Sequence, residues 1–238
     1  MGIILGIIST KLVMERSDFL RDGAPMRMEN EFGQATVFLT DRTALILRHG
    51  DDPRNHILPH LINHHANIKA LKDIGAGEIV GIHSTGSLKK AFSPGMIVIP
   101  DDFITLTATP TIFNSSTVHI TPSLSDSVRQ KIINAAKSCN LTIVKQGTYW
   151  QTNGPRLETK AEIKMMANFA DIVGMTMANE AVIAQELEIP YGSACSVDNY
   201  GNGILDKPLS MEEILEGTCK NADLMIQLLH SYLNLSLK

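Results

Sequence analysis

The order of apolar runs along this 238-residue chain predicts an α/β protein, a three-layer sandwich with a twisted mixed central sheet flanked by helices. Three observations carry that expectation. Short apolar runs of buried-strand character alternate with amphipathic helical segments. Polar motifs stand at several strand ends, where open α/β sheets place their sites. No linker, internal repeat or low-complexity tract divides the chain, so residues 1–238 are expected to form one domain.

Composition narrows the function classes. With 44% hydrophobic and 19% charged residues the chain can bury a substantial core. A formal net charge of −4 gives no basic footprint, so nucleic acid is not an expected partner. The apolar start Met1–Ile8 is too short for a membrane span and lacks the basic opening of a signal peptide. It reads as a buried first strand of a cytoplasmic protein. Cys139, Cys195 and Cys219 show no CxxC spacing, which suggests neither a disulfide framework nor a zinc site.

After the first strand, Ser9-Thr10-Lys11 fits either a phosphate-contacting loop or a plain solvent turn. The β-forming runs 35–40 and 43–47, with Asp41-Arg42 between them, predict a hairpin that delivers Arg48-His49-Gly50 at a strand end. A guanidinium beside an imidazole suits an oxyanion such as phosphate; the same residues also fit a surface turn. Residues 59–71 carry a helical pattern that ends at Gly75. His60 and His64, four apart, invite a metal reading, but no acidic or Cys partner with matching spacing follows, and no metal is expected.

The run 78–82 predicts a buried strand ending in His83-Ser84-Thr85-Gly86-Ser87-Leu88, small residues that let a ligand approach the backbone. Pro94-Gly95 turns the chain into a second buried strand at 96–100. The Thr-rich segment 105–121, which contains His119, has no periodicity and is long for a loop, so it is expected to be functional or covered by a partner subunit. A helix is predicted over 125–139, strands over 142–145 and 147–150, a helix over 158–169 and a strand over 171–175. A helix over 178–187 and a strand over 190–197 ending at Asp198-Asn199 follow. Ser210-Met211-Glu212-Glu213 has the form of a capping box and opens the last helix. Where the strand at 171–175 turns into the next helix, backbone N–H groups and the Thr176 hydroxyl are expected to meet an anion.

Taken in order and spacing, Arg48-His49-Gly50, Pro59-His60-Leu61-Ile62-Asn63 with Ala66-Asn67-Ile68, Gly86-Ser87-Leu88 followed by Pro94-Gly95, Gly154-Pro155-Arg156 with Glu158-Thr159, and Gly174-Met175-Thr176 resemble the trimeric purine nucleoside phosphorylases together with methylthioadenosine phosphorylase. The likeness runs from Gly6 to about Leu229. It implies that phosphate attacks the anomeric carbon of a nucleoside and releases a purine and a pentose 1-phosphate, with inorganic phosphate as co-substrate and no other cofactor. It implies phosphate contacts at Thr10, Arg48, His49, Ser84 and Thr176, a sugar near Met175, and a purine between Leu157-Glu158 and Asp198-Asn199. It further implies a homotrimer, or a dimer of trimers, in which His119 reaches a neighbouring sugar site.

Two positions refine the implied substrate. Counted without gaps along the strand from Glu188, Asn199 falls where the family distinguishes bases; Asn there with Glu158 suits a 6-oxopurine, because the amide donates to a 6-oxo group and Glu158 accepts from N1–H. A one-residue gap near Ser193 would bring Asp198 to that place and favour adenine. Met211 stands where ordinary members carry a His for the 5′-hydroxyl, and an apolar, polarizable side chain suits a thioether; it also fits simple packing of the helix start. Together these imply S-methyl-5′-thioinosine as substrate, in purine salvage. Departures from the family pattern are the Ile8-Ser9-Thr10-Lys11 turn, His83 where Thr or Asn is usual, Asn179 for Pro, and Leu157 for a stacking aromatic, a loss of about 1 kcal/mol. A rival of another class is a non-catalytic nucleoside-binding protein that has lost phosphate binding.

Overall fold

The computed structural model describes residues 4–235. In chain order its elements are β1 (Ile4–Ser9), α1 (Lys11–Met14), α2 (Asp18–Arg21), β2 (Ala24–Asn30), β3 (Gly33–Leu39), β4 (Thr43–Leu47), α3 (His64–Ile74), β5 (Ala76–Ser87), β6 (Ile97–Val98), β7 (Asp102–Thr105) and α4 (Asp126–Ser138). They continue with β8 (Ile143–Val144), β9 (Thr148–Gln151), α5 (Lys160–Met166), β10 (Ile172–Gly174), α6 (Met177–Glu186), β11 (Tyr191–Tyr200) and α7 (Met211–Leu235). The expected first strand starts at Ile4; its residues 1–3 lie outside the described part.

All the strands join one mixed sheet, and β5 is its hub. One edge of β5 pairs in parallel with β11 from Ile79 to Ser87. The other edge pairs in parallel with β1 as far as Gly81 and then antiparallel with β10 from Gly86. Between Gly81 and Gly86, β1 has ended and β10 has not begun. Such a break in strand order, at the carboxyl ends of the parallel strands, is where open α/β sheets place a ligand crevice.

Helices cover both faces of the sheet. Val13 and Met14 of α1, Val128 and Ile132 of α4, and Met225 and Leu229 of α7 pack with Leu5, Ile7, Leu45 and Val80 on one face. Ile68 and Leu71 of α3 with Met177, Ala181 and Ile183 of α6 pack with Ile8, Ile46 and Ile79 on the other. The alternation of strand side chains therefore divides the polar residues too: Ser9 and Ser84 share the α7 side, whereas Arg48 and His83 share the α6 side.

Most predicted elements are present. The hairpin of β3 and β4 is antiparallel, with Leu39 opposite Ala44. The helix read from Pro59 begins later: Pro59–Leu61 is a 3₁₀ turn, and Asn63 caps α3 by accepting the Ala66 N–H at 3.0 Å. Gly75 closes α3 in the left-handed region, φ 87°, as the stop signal required. The strand read over 78–82 runs on through the small polar motif to Ser87, and the strand read to Val197 runs on to Tyr200, with a bulge at Asp198. Of the expected capping box, Ser210 does accept the Glu213 N–H, while the Glu213 carboxylate turns to Lys207.

Candidate active site

The crevice beside β5 is filled from the α6 side by Arg48. Its side chain is 2% exposed, and it donates from Nη1 to Ile82 O (2.8 Å), from Nη2 to Ile8 O (2.9 Å), and from Nε and Nη2 to the two oxygens of Glu180 (2.6 and 3.3 Å). The guanidinium thus ties the backbone of β1 to that of β5 at the place where β1 and β10 part. Among the described residues these bonds leave one Nη1–H uncommitted. The guanidinium that the Arg48-His49-Gly50 motif offers to an oxyanion is thus largely engaged inward, by Glu180 and the carbonyls of Ile8 and Ile82.

Glu180 is 1% exposed within α6, seven of whose ten residues are buried. Burial opposes its charge, but Arg48 and His83 overcome that cost and hold its carboxyl well below the usual range. Its second oxygen accepts from the Tyr191 hydroxyl at 2.9 Å. Tyr191 Oη also meets His83 Nε2 at 2.9 Å, and His83 Nδ1 meets Thr176 Oγ1 at 3.0 Å. Burial, reinforced by Arg48, pushes His83 down to about 4, so the ring is neutral at pH 7. Arg48 and Thr176, far apart in sequence, therefore belong to one buried hydrogen-bonded chain.

The N-terminus of α6 departs from expectation. The amides of Thr176 and Met177 both point at the Tyr149 hydroxyl (3.3 and 3.4 Å), and those of Ala178 and Asn179 at Gln151 Oε1 (2.6 and 3.4 Å). All four free N–H groups of the first turn are thus capped by β9. They are not available to an anion, and only the Thr176 hydroxyl remains. Gly174 makes this possible, since a Cβ there would lie 2.4 Å from Tyr149 Oη.

The other residues expected at phosphate lie around the same strand ends. Thr10 caps α1 through a bond from the Val13 N–H at 3.4 Å, so the polar turn is the start of a short helix. His49 is held by Ile57 O at 2.7 Å and stacked on His56 at 4.6 Å; burial pushes it down to about 4. Ser84 faces α7, its Oγ 3.4 Å from Thr218 Oγ1.

At the end where a base is expected, Asn199 lies opposite Gly86, which lies opposite Val173, so the three form a row across the sheet. A Cβ on Gly86 would come within 3.2 Å of Asn199 Nδ2 and 3.3 Å of Val173 Cγ1. Asn199 is buried and donates from Nδ2 to Tyr200 O at 2.9 Å. The bulge turns Asp198 to the opposite face, where its carboxylate accepts from Asn221 (2.8 Å) and Thr218 (2.7 Å) of α7, and burial raises its pKa. Gly217 allows α7 this close approach: a Cβ there would meet Asp198 O at 2.1 Å.

Glu158 is buried, with Oε1 accepting from Thr152 Oγ1 at 2.6 Å. Neighbouring Arg156 pairs with Glu162 in two-pronged fashion at 2.9 and 2.7 Å and takes no place in the site. Leu157 is exposed. Met175 packs on Gly154, whose φ of 62° and missing side chain admit the Met175 sulfur. Met211 opens α7 and is 60% exposed, and the loop before it rests on the Glu158 segment through Asn202 Nδ2 to Glu158 O at 3.5 Å. His119 is exposed on the irregular stretch 106–125, which is pinned to the end of α6 by Glu186 and Gln185.

Glu180, Tyr191, Tyr149 and Gln151 were given no role in the sequence reading, and His64 was weighed there only as a metal ligand. Glu180 carried a usable signal, an acid flanked by the apolar run Ala181–Ala184, which demands a buried partner. His64 is 4% exposed and neither ring nitrogen has a hydrogen-bond partner among the described residues; burial pushes it down to about 4, with Arg48, Glu180 and His83 close enough to influence it. Among the described residues no three His, Cys, Asp or Glu side chains are arranged to hold a metal ion, and no helix is long and apolar enough to cross a membrane.

Comparison with known proteins adds to this geometry. The profile of a family described as the phosphorylase superfamily matches residues 18–234. A probable 6-oxopurine nucleoside phosphorylase of Archaeoglobus fulgidus is 39% identical over 92% of this chain and 91% of its own. A probable S-methyl-5′-thioinosine phosphorylase of Methanocaldococcus jannaschii is 37% identical over 87% of this chain and 84% of its own. Among solved structures, methylthioadenosine phosphorylase from Schistosoma mansoni in complex with adenine superposes with a TM-score of 0.86 at 21% identity, over 98% of this chain and 92% of that one, a likeness of fold.

Proposed function

The chain belongs to the phosphorylase superfamily, and from that premise we propose that it catalyses phosphorolysis of a 6-oxopurine 5′-methylthio-nucleoside. S-methyl-5′-thioinosine and phosphate would give hypoxanthine and 5-methylthioribose 1-phosphate. The names of the relatives at 37–39% identity support this reaction class.

The observation that carries the reading is the layout of β5. His83 stands beside Arg48 and Thr176, Ser84 follows it on the α7 face, and Gly86 stands beside Asn199. Two to three residues of strand span roughly 7–10 Å, room for a pentose between an anion and a base. In this assignment phosphate rests among Thr10, His49, Ser84, Thr176 and the remaining N–H of Arg48. Held in line with the anomeric carbon, it loses much of the entropic barrier to attack and lies next to the cationic sugar. Asn199 and the free Oε2 of Glu158 meet the purine edge, where negative charge grows as the bond breaks; interactions that strengthen there accelerate the step. Met175 lies by the sugar and Met211 by the methylthio group, with Leu157 along the base. We assign His119 to a neighbouring protomer's sugar site, and hence a homotrimer.

A second reading has one observation in its favour. Asp198 is buried next to Asn199 at the β11 bulge, where a one-residue change of register would bring its carboxylate to the exocyclic amine of a 6-aminopurine. Offering methylthioadenosine and methylthioinosine together with phosphate separates the two. Faster hypoxanthine than adenine release supports Asn199 as the base reader; faster adenine release overturns it in favour of Asp198.

A further inference from the structure

We infer that His83 is a positioning residue that fixes the Thr176 hydroxyl as a hydrogen-bond acceptor, so that the anion end of the site selects an oxyanion that still carries a proton. This rests on the reading of Thr176 as a phosphate contact and specifies which form of the anion it takes.

The direction of each bond follows from its neighbour. The Glu180 carboxylate only accepts, so Tyr191 must give it the hydroxyl proton, across 2.9 Å. The Tyr191 oxygen then accepts from His83, across 2.9 Å, and the proton lies on Nε2, which also faces Glu180 Oε2 at 3.4 Å. In a neutral imidazole Nδ1 is then bare and must accept. What it accepts is the Thr176 hydroxyl hydrogen, at 3.0 Å. Thr176 is left with lone pairs toward the crevice, and its own amide is already directed at Tyr149 Oη at 3.3 Å.

The chain of bonds has little freedom to reverse. Arg48 holds Glu180 ionised with two bonds of 2.6 and 3.3 Å. Gly81 gives the pair its space, since a Cβ there would lie 2.1 Å from Tyr191 Oη and 2.6 Å from His83 Nε2. An acceptor facing an anion repels it unless the anion supplies a proton. Inorganic phosphate at neutral pH supplies one from P–OH; sulfate, of similar shape, supplies none. The Thr or Asn usual at this position would not impose the same direction on Thr176.

The test is calorimetric titration of the whole protein with phosphate, arsenate and sulfate at pH 7, at constant ionic strength. Phosphate and arsenate, both protonated, are expected to bind alike, and sulfate at least about tenfold more weakly, the worth of one charge-assisted hydrogen bond. In His83→Leu the Thr176 hydrogen is free to turn outward, and the gap is expected to narrow several-fold. Nitrogen-15 NMR of the wild-type ring reads the tautomer without any substitution, with a pyridine-type Nδ1 and a pyrrole-type Nε2 expected. Equal binding of sulfate and phosphate, or a protonated Nδ1, overturns this inference alone. Absence of binding by all three anions overturns the phosphate site itself, and this inference with it.

Discussion

The two ends of the crevice are built differently. At the proposed anion end Arg48, Glu180, Tyr191, His83 and Thr176 are all buried and linked in one chain of hydrogen bonds, and Arg48 bridges β1 and β5 where β1 and β10 part. At the other end Asn199 and Glu158 are buried as well, but the rim is open: Met211 is 60% and Leu157 37% exposed, on a helix start and a loop. Binding residues that also hold the sheet together cannot change without loss of fold, whereas residues on the rim can. A common chemistry with variable substrate preference is the expected result of such a division.

The largest effect that bears on this contrast is removal of Glu180. Glu180→Leu leaves the Arg48 charge buried without its partner, and a loss of about 3–5 kcal/mol is expected in denaturant unfolding. A loss below about 1 kcal/mol would show that the anion end is not part of the fold's support. Acid should act on the same end. His64 and His83 are pushed down to about 4 from an ordinary 6.5, chiefly by burial, so between those values the unfolded chain takes up protons that the folded chain does not. The stability gained from keeping these rings neutral is therefore full above pH 6.5 and lost as pH falls toward 4, on the order of 3 kcal/mol for each ring. Unfolding midpoints measured across that range should fall, and a flat profile would contradict the burial of both.

Thr176→Val is expected to be intermediate. It leaves His83 Nδ1 buried and unpaired, a cost of about 1–3 kcal/mol, and it removes a phosphate contact, so the KM for phosphate should rise more than that for nucleoside. Glu158→Gln moves the test to the base end: kcat on a 6-oxopurine nucleoside should fall by about 10²-fold while stability shifts by less than about 1 kcal/mol. Met211→His should be the smallest in stability, within about 0.5 kcal/mol, yet shift the preference from a methylthio toward a hydroxyl nucleoside by about tenfold. A large stability change at Met211 would erase the contrast between the two ends.

How far the sequence was readable follows the range of the forces involved. Local signals sufficed for the β3–β4 hairpin, for the stop of α3 at Gly75 and for the cap of α7 at Ser210. The edge strand β2 was not read, because Ala24–Asn30 is largely exposed and its alternation is confined to Met26-Arg27-Met28-Glu29, with no β-branched or aromatic residue; it is a strand by virtue of pairing with β3. Pro59 gave a proper helix-start signal that Asn63 overrode with a side-chain cap. In the site, the motifs located Arg48, Thr176, Glu158 and Asn199 along the chain but not the direction each side chain takes. That direction is set by partners far off in sequence: Glu180 for Arg48, Tyr149 and Gln151 for the start of α6, Asn221 and Thr218 for Asp198.

The central claim is that this crevice transfers a 5-methylthiopentosyl group from a 6-oxopurine to phosphate. It is tested most directly by supplying the purified protein with S-methyl-5′-thioinosine and inosine in competition, with and without phosphate, and following hypoxanthine and the two sugar phosphates. Phosphate-dependent hypoxanthine release with 5-methylthioribose 1-phosphate as the predominant sugar product is the predicted result. Release that does not depend on phosphate, predominance of ribose 1-phosphate, or no release from either nucleoside would contradict it.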